Sequence, residues 1–326
     1  MELKLDDKLR IGIMTIHRRT EPASGAWLPS IEEMRALVEL VDGCGYDSLW
    51  CGDHISFTTA ILDPLLQLAQ AAVISRRLLL GTAVYLLPLR HPVPVAKQTA
   101  TLDHLSEGRF IFGVGVGGEF PKEYEACGVP IDERGPRLTE AIGLLRKLWS
   151  GAPVSHEGRY YAAFRDVPMQ PPARQPGGPP IWCGGRSDAA LARAGRLADG
   201  WIAYVVTPEM YRAALDRIAA VAQEAGRGQT AFGTGHLLFA RLDDSYAKAL
   251  DAATVTLSQR YAMDFRRAAE RYAALGSARQ IADRIRAFHA AGVRHIALDL
   301  VGPYEERDQQ IERFACEVLP LLGDLR

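Results

Sequence analysis

Three short stretches hold residues whose types and spacing could do chemistry. Asp53 and His54 close the apolar run "SLWCGDH". An imidazole changes protonation near neutrality, its ordinary pKa being about 6.5, so His54 reads as a general acid or base or as the holder of a reacting group. The alternative is a ring that only bonds a loop. "CGGRSDAAL" puts Gly184, Gly185, Arg186 and Ser187 ahead of a helical pattern that starts near Asp188. Backbone N–H groups at a helix start, a hydroxyl and a guanidinium together suit a phosphate. The competing reading makes Asp188 a simple N-cap and leaves Arg186 in solvent. "FGVGVGGEF" spells Gly113-x-Gly115-x-x-Gly118, the spacing of a dinucleotide-binding turn. In such a turn the third Gly opens a helix, but Pro121 and Pro130 interrupt the residues after Gly118, and the next convincing helical run begins near Pro136. These glycines instead suit a strand end where a flat ligand meets bare backbone, or a tapering interior that they merely fill.

Chain-wide patterning supplies the elements that would position these groups. Eight β-rich runs alternate with helical patterns: 10–16, 48–52, 78–86, 110–116, 180–185, 200–206, 235–242 and 295–301. Apolar residues recur at helical spacing in Ile31, Met34, Leu37, Val38 and Val41, and again in Leu138, Ile142, Leu145 and Leu148. Four helix-to-strand joints, "GCGYDSLW", "SEGRFIF", "ADGWIAY" and "AAGVRHIAL", place Gly where a left-handed residue would end the helix. Strand–helix alternation of this kind predicts a (β/α)8 TIM barrel, with a doubly wound parallel sheet as the rival. The stretches 117–135, 151–179 and 243–277 exceed the plan and read as insertions in one domain spanning 1–326.

Composition narrows the function classes. Net charge is −1, so no basic field invites nucleic acid or anionic lipid. No window approaches the roughly 20 apolar residues of a membrane span, and the start of the chain does not read as a secretion signal, which predicts a cytoplasmic protein. Cys44, Cys51, Cys127, Cys183 and Cys316 are scattered, odd in number and never in a C-x-x-C pair, so neither a disulfide framework nor a metal site is expected.

"GYDSLWCGDHIS", "LLLGTAVYLLPLRHPVPVAKQTATLDHLSEGRFIFGVGVG", "RGPRLTEAIGLLRKLW" and "PPIWCGGRSDAALARAGRLADGWI" together resemble the bacterial-luciferase-like superfamily, especially its coenzyme F420-dependent (deazaflavin) oxidoreductase branch. The resemblance runs in order from about residue 10 to 206, with a weaker tail to 301. It implies a barrel that binds F420 or FMN at the carboxyl ends of its strands, often as a homodimer. It also implies F420-dependent hydride transfer to or from a small organic substrate. The alternatives are an FMN-dependent monooxygenase and a catalytically silent flavin-binding protein. The form "GDHI", in place of the Glu-His-His frequent in FMN monooxygenases, favours F420.

Residue by residue, the resemblance assigns catalysis or cofactor contact to Asp53 and His54 and a non-proline cis peptide to Ala83–Val84, under the cofactor ring. It assigns phosphate contact to Arg109 and to Gly184, Gly185, Arg186 and Ser187, and a place beside ring and ribityl chain to Gly115 and Gly117. Relatives that oxidise sugar phosphates carry Gly-x-Gly-Glu here. This chain has Gly118 in the Glu place and Glu119 one later, so Glu119 is either a displaced proton donor or a solvated loop acid. Tyr85, Trp182, Tyr204 and His236 would line the substrate cavity or belong to the core. "HEGRYYAAF" resembles the hairpin common after the fourth helix of the family.

Overall fold

The computed structural model describes residues 3–15, 30–57, 61–227 and 231–326. Its strands, in chain order, are β1 (Arg10–Met14), β2 (Ser48–Cys51), β3 (Leu79–Thr82), β4 (Phe110–Val114), β5 (Val154–His156), β6 (Phe164–Val167), β7 (Ile181–Gly184), β8 (Gly200–Tyr204), β9 (Gly233–Leu242), β10 (Ala274–Gly276) and β11 (His295–Leu300). Parallel pairing runs from β1 through β2, β3, β4, β7, β8, β9 and β11 and returns to β1. The sheet therefore closes on itself, the (β/α)8 barrel expected from the alternation. A doubly wound sheet would have left two open edges. Seven of the eight expected runs contain the observed strand, and the run 235–242 falls inside β9, which starts two residues earlier at Gly233; Ile16, the end of the expected first run, lies outside the described residues.

The segments beyond the plan have their own structure. Helix Pro121–Ala126 comes after β4, the antiparallel pair β5–β6 precedes β7, and helices Tyr246–Tyr261 and Arg266–Tyr272 come after β9. Local chemistry sets the helix starts. Ser30 and Ser277 form capping boxes with Glu33 and Gln280, and Asp63 and Thr207 cap helices that have Pro in the first turn. Of the four glycine joints, Gly45, Gly108 and Gly292 take positive φ as expected. Gly200 does not: a Cβ there would lie 2.5 Å from Trp182, so that glycine serves a close approach inside the barrel. Nor does the whole first apolar stripe reach the core. Leu37, Val38 and Val41 are buried, whereas Ile31 is exposed.

Two tryptophans plug the barrel interior. Trp50 and Trp182 stand 5.6 Å apart, each edge-on to His295. Ser48 Oγ accepts from Trp50 Nε1 and bonds His295 Nε2, both at 2.8 Å. Met14, Ile202 and Leu237 pack over this plug and face the carboxyl end, where the interior opens.

Burial holds His295 and His236 neutral, each pushed down to about 3. Unfolding returns both rings to water, where they take protons below about pH 6.5. Their folded pKa values lie below the unfolded ones, so the stabilisation is complete above pH 6.5 and is lost as pH falls towards 3. Urea unfolding followed by circular dichroism is expected to show a loss of about 4 kcal/mol between pH 7 and pH 5 for the two rings together. Equal stability at those two pH values would contradict this reading.

Candidate active site

A cavity of about 260 Å³ opens at the carboxyl ends of the barrel strands, and all eight strands or the residues directly after them contribute to its wall. Active sites of this barrel class lie on that face. On the β3 side the wall is a ledge formed by Ala83, Val84 and Leu86. The Ala83–Val84 peptide is cis, at the position the sequence resemblance gave for it. Gly115 and Gly184 flank it, and a Cβ at either would meet the Val84 side chain, at 2.4 and 2.8 Å. A Cβ at Gly117 would likewise press on Leu86, at 2.9 Å. The glycines thus let Val84 and Leu86 pack between strand ends, while their backbone, with Ala83, lines the cavity. Gly113 answers a tighter demand, since a Cβ there would fall 1.8 Å from Thr82 O. Gly113 and Gly115 therefore serve strand packing, while Gly118 takes φ +107 in the loop beyond β4 and opens no helix.

Asp53 lines the cavity at the end of β2, with both oxygens engaged. Oδ2 accepts from Leu86 N–H at 2.8 Å and Arg90 Nη1 at 2.5 Å, and Oδ1 from Arg90 Nη2 at 2.9 Å. Burial pushes this carboxyl up, and Arg90 and the Leu86 amide pull it back. On Arg90, burial opposes the charge but the bonds and charge of Asp53 outweigh it, so the guanidinium is held above its ordinary value, while burial leaves Asp53 above the usual carboxylate range. Arg90 also lies over the Tyr85 ring, 4.2 Å from its centroid. This fork ties the turn before helix Pro92–Leu105 to the end of β2.

His54, next in the chain, has a partner that its local sequence does not announce. Glu123, buried in the short helix Pro121–Ala126, accepts from His54 Nδ1 at 3.1 Å, from Ser56 N–H at 3.2 Å and from Ile55 N–H. Phe57 stacks on the imidazole at 4.0 Å. With Nδ1 taken and one face covered, Nε2 is the nitrogen left for a molecule in the cavity. Across the mouth, Tyr204 donates its hydroxyl to Glu119 Oε1 at 2.8 Å, so Glu119 is tied to the rim of the wall although it is solvent-exposed. Burial first, and Glu119 second, raise the Tyr204 phenol and keep it a donor.

The phosphate-type residues divide. Gly184 and Gly185 line the cavity, with Gly185 at φ +103 just before helix Asp188–Leu197. Ser187 is that helix's N-cap, its Oγ accepting from Ala190 N–H, and Arg186 Nη1 donates to Val205 O at 2.6 Å beside the Tyr204 ring. Arg109 is a correction. It precedes β4, so it sits at the amino end of the barrel, where its guanidinium donates to the carbonyls of Leu78 and Ala72, away from the cavity.

His236 is also placed elsewhere. It alternates with the inward-facing Leu237 and packs outward on Phe288, with Nδ1 on Ala203 O. Trp182 and Tyr85 are core, and of the four cavity candidates only Tyr204 reaches the lining. Reading from sequence missed Arg90, Glu123 and a buried ion pair in the wall, Arg260 with Asp299. Only Asp299 left a local signal, as a lone acid at an inward position of the apolar run "HIALDLV".

Comparison with known proteins gives this architecture its relatives. An F420-dependent hydroxymycolic acid dehydrogenase of Mycobacterium tuberculosis is 33% identical over 229 residues, 67% of this chain and 61% of that one. A phthiodiolone/phenolphthiodiolone dimycocerosates ketoreductase of the same species is 30% identical over 280 residues, 77% and 71% of the two chains. Uncharacterised mycobacterial relatives are 37% identical, with the match spanning about half of this chain and 54% of theirs. Among solved structures, the monooxygenase RslO1 from Streptomyces bottropensis superposes with a TM-score of 0.84 at 26% identity, over 96% of this chain and 99% of that one. The model of the luciferase-like monooxygenase family matches residues 9–295, so the chain belongs to that family.

Proposed function

We propose that the chain is an oxidoreductase that binds F420 in this cavity and acts on a small organic substrate. The observation that carries the reading is the pairing of the cis Ala83–Val84 peptide, flanked by Gly115 and Gly184, with an imidazole, His54, whose Nδ1 is held by the buried Glu123. The F420-dependent relative in Mycobacterium tuberculosis supports the cofactor.

The residues present fit such a group. Ala83, Val84, Gly115 and Gly117 offer a side-chain-poor surface for a flat ring, between apolar walls at Met14, Ile202 and Leu237. Gly184, Gly185, Arg186 and Ser187, at the start of helix Asp188–Leu197, are the groups that would take its phosphate. The cofactor supplies two-electron redox chemistry. The chain's own residues bind, orient and exclude water, and His54 Nε2 exchanges a proton with the substrate oxygen. Glu123 fixes the tautomer that makes this possible, and the Asp53–Arg90 fork fixes the wall on which His54 stands.

A second reading, an FMN-dependent monooxygenase, is favoured by the likeness to RslO1 along nearly the whole chain. Fluorescence titration of purified protein with each cofactor separates the two. Saturable F420 binding with FMN at least tenfold weaker is expected; tight FMN binding without F420 binding would replace the first reading with the second, and no binding of either would remove both.

The assembly we propose is a homodimer in the cytoplasm, with no nucleic-acid or membrane partner. Leu66 and Val73, seven apart on helix Pro64–Ile74, are exposed at 74% and 65%, an apolar stripe that a second copy would cover. Sedimentation of Leu66→Glu/Val73→Glu is expected to give a monomer where the native chain sediments as a dimer; unchanged sedimentation would exclude this face. All five cysteines are free, which suits a reducing compartment.

A further inference from the structure

Across the barrel from the Ala83–Val84 ledge, with β9 four strands round and β11 three, the cavity wall is made by Phe239 of β9, Asp299 of β11 and Arg260. Arg260 comes from the last turn of helix Tyr246–Tyr261, which the left-handed Ala262 (φ 52) ends at the cavity mouth. Arg260 and Asp299 pair at 2.6 Å (Nη1 to Oδ2) and 3.3 Å (Nη2 to Oδ1), with side chains only 3% and 2% exposed. Asp299 takes two of the five guanidinium N–H groups and Tyr261 a third, while Nε is buried without an acceptor.

Charge on the rest of the wall decides what this pair can receive. Among the described lining residues Arg260 is the single Arg or Lys, against the carboxylates of Asp53, Glu119 and Asp299. Arg90 balances Asp53, and Asp299 cancels Arg260. An organic anion held in the substrate part of the cavity, away from the phosphate groups at Gly184–Ser187, would meet no uncancelled Arg or Lys among the described lining residues, and its desolvation would go uncompensated. A neutral oxygen meets no such penalty and can accept from a guanidinium donor that Asp299 leaves over. Phe57, Ile61, Leu86, Leu237 and Phe239 suit the hydrocarbon part of such a molecule.

We propose that the Arg260–Asp299 pair is a substrate-selecting subsite, which takes the carbonyl or hydroxyl oxygen of an uncharged, largely apolar substrate and rejects organic acids. This rests on the cavity being the substrate chamber. Three monosubstituted benzenes test it on the cofactor-free full chain at pH 7: acetophenone, its equal in size benzoate, and the smaller, purely apolar toluene, titrated by ligand-observed NMR. Acetophenone is expected to bind at least tenfold more tightly than benzoate.

Asp299→Asn uncovers the Arg260 charge, and benzoate should then gain at least tenfold. Arg260→Met/Asp299→Leu replaces the pair with apolar groups of similar size, an exchange that buried ion pairs tolerate. It should bind toluene as the native chain does and hold acetophenone no better than toluene. If circular dichroism shows Asp299→Asn to be unfolded, the double variant decides. Benzoate binding equal to acetophenone, no benzoate gain in folded Asp299→Asn, retained acetophenone preference in the double variant, or no binding of any probe would overturn the subsite. A chain that binds neither F420 nor FMN, yet keeps the acetophenone preference, would remove the redox reading and support the subsite.

Discussion

Arg90→Met is expected to destabilise the protein by about 3–5 kcal/mol, as removing one partner of a buried ion pair does. The Asp53 side chain is fully buried and Arg90 is 18% exposed, so the carboxylate left behind would keep only the Leu86 amide. Charge, rather than lost packing, should carry most of this effect. Two comparisons separate them. Asp53→Asn/Arg90→Met leaves no stranded charge and should recover well over half of the loss in urea unfolding. The deficit of the single variant should also depend on pH. Without Arg90, burial outweighs the remaining Leu86 bond and raises Asp53 further, so the variant's folded state holds a proton that the unfolded chain releases above about pH 4. Relative to the native protein, the variant should be weakest near pH 7 and approach it as pH falls towards 4. A deficit that is the same at both pH values, and unchanged in the double variant, would assign the role to the stacking of Arg90 on Tyr85.

How far apart two partners lie along the chain decides whether the sequence reveals them. Strand–helix periodicity is local, and it located all eight barrel strands. Asp53–His54 and Gly184–Gly185 are adjacent residues at strand ends, and the structure brings them to one cavity. The partners that give them meaning are distant in sequence. Arg90 lies 37 residues from Asp53, and Glu123 lies 69 from His54, within a proline-interrupted run that carries no convincing helical pattern. Arg260 and Asp299 meet only because an inserted helix ends over the last strand.

Arg109 is a different kind of miss. A residue just before a parallel strand must lie at the amino end of the barrel, opposite the cavity, and chain direction alone carries that information. Gly200 belongs with the distant cases, since its role depends on Trp182 on the neighbouring strand.

Glu123→Gln is expected to lower kcat by about 10²- to 10⁴-fold while leaving KM and the fold nearly intact. In the native site one carboxylate oxygen takes the Ile55 and Ser56 amides, and the other takes His54 Nδ1. A carboxamide has one accepting oxygen. The two backbone amides would claim it, because the loop depends on them, and the new NH2 group would then face Nδ1. Against a donor, Nδ1 must accept, so the imidazole proton moves to Nε2 and the atom facing the cavity changes from acceptor to donor. The substitution thus inverts the tautomer without removing the ring. The ¹⁵N shifts of His54 read this without any turnover assay: protonated Nδ1 in the native chain, protonated Nε2 in the variant. His54→Ala should lose turnover to the same extent, and the double variant no further, because both remove one proton-transfer function. Glu123→Ala should differ from both in also releasing the 54–56 loop and weakening cofactor binding. A Glu123→Gln protein with native His54 shifts and native kcat would reduce Glu123 to an anchor for the loop, and Nε2 of His54 would lose its assigned part in the reaction.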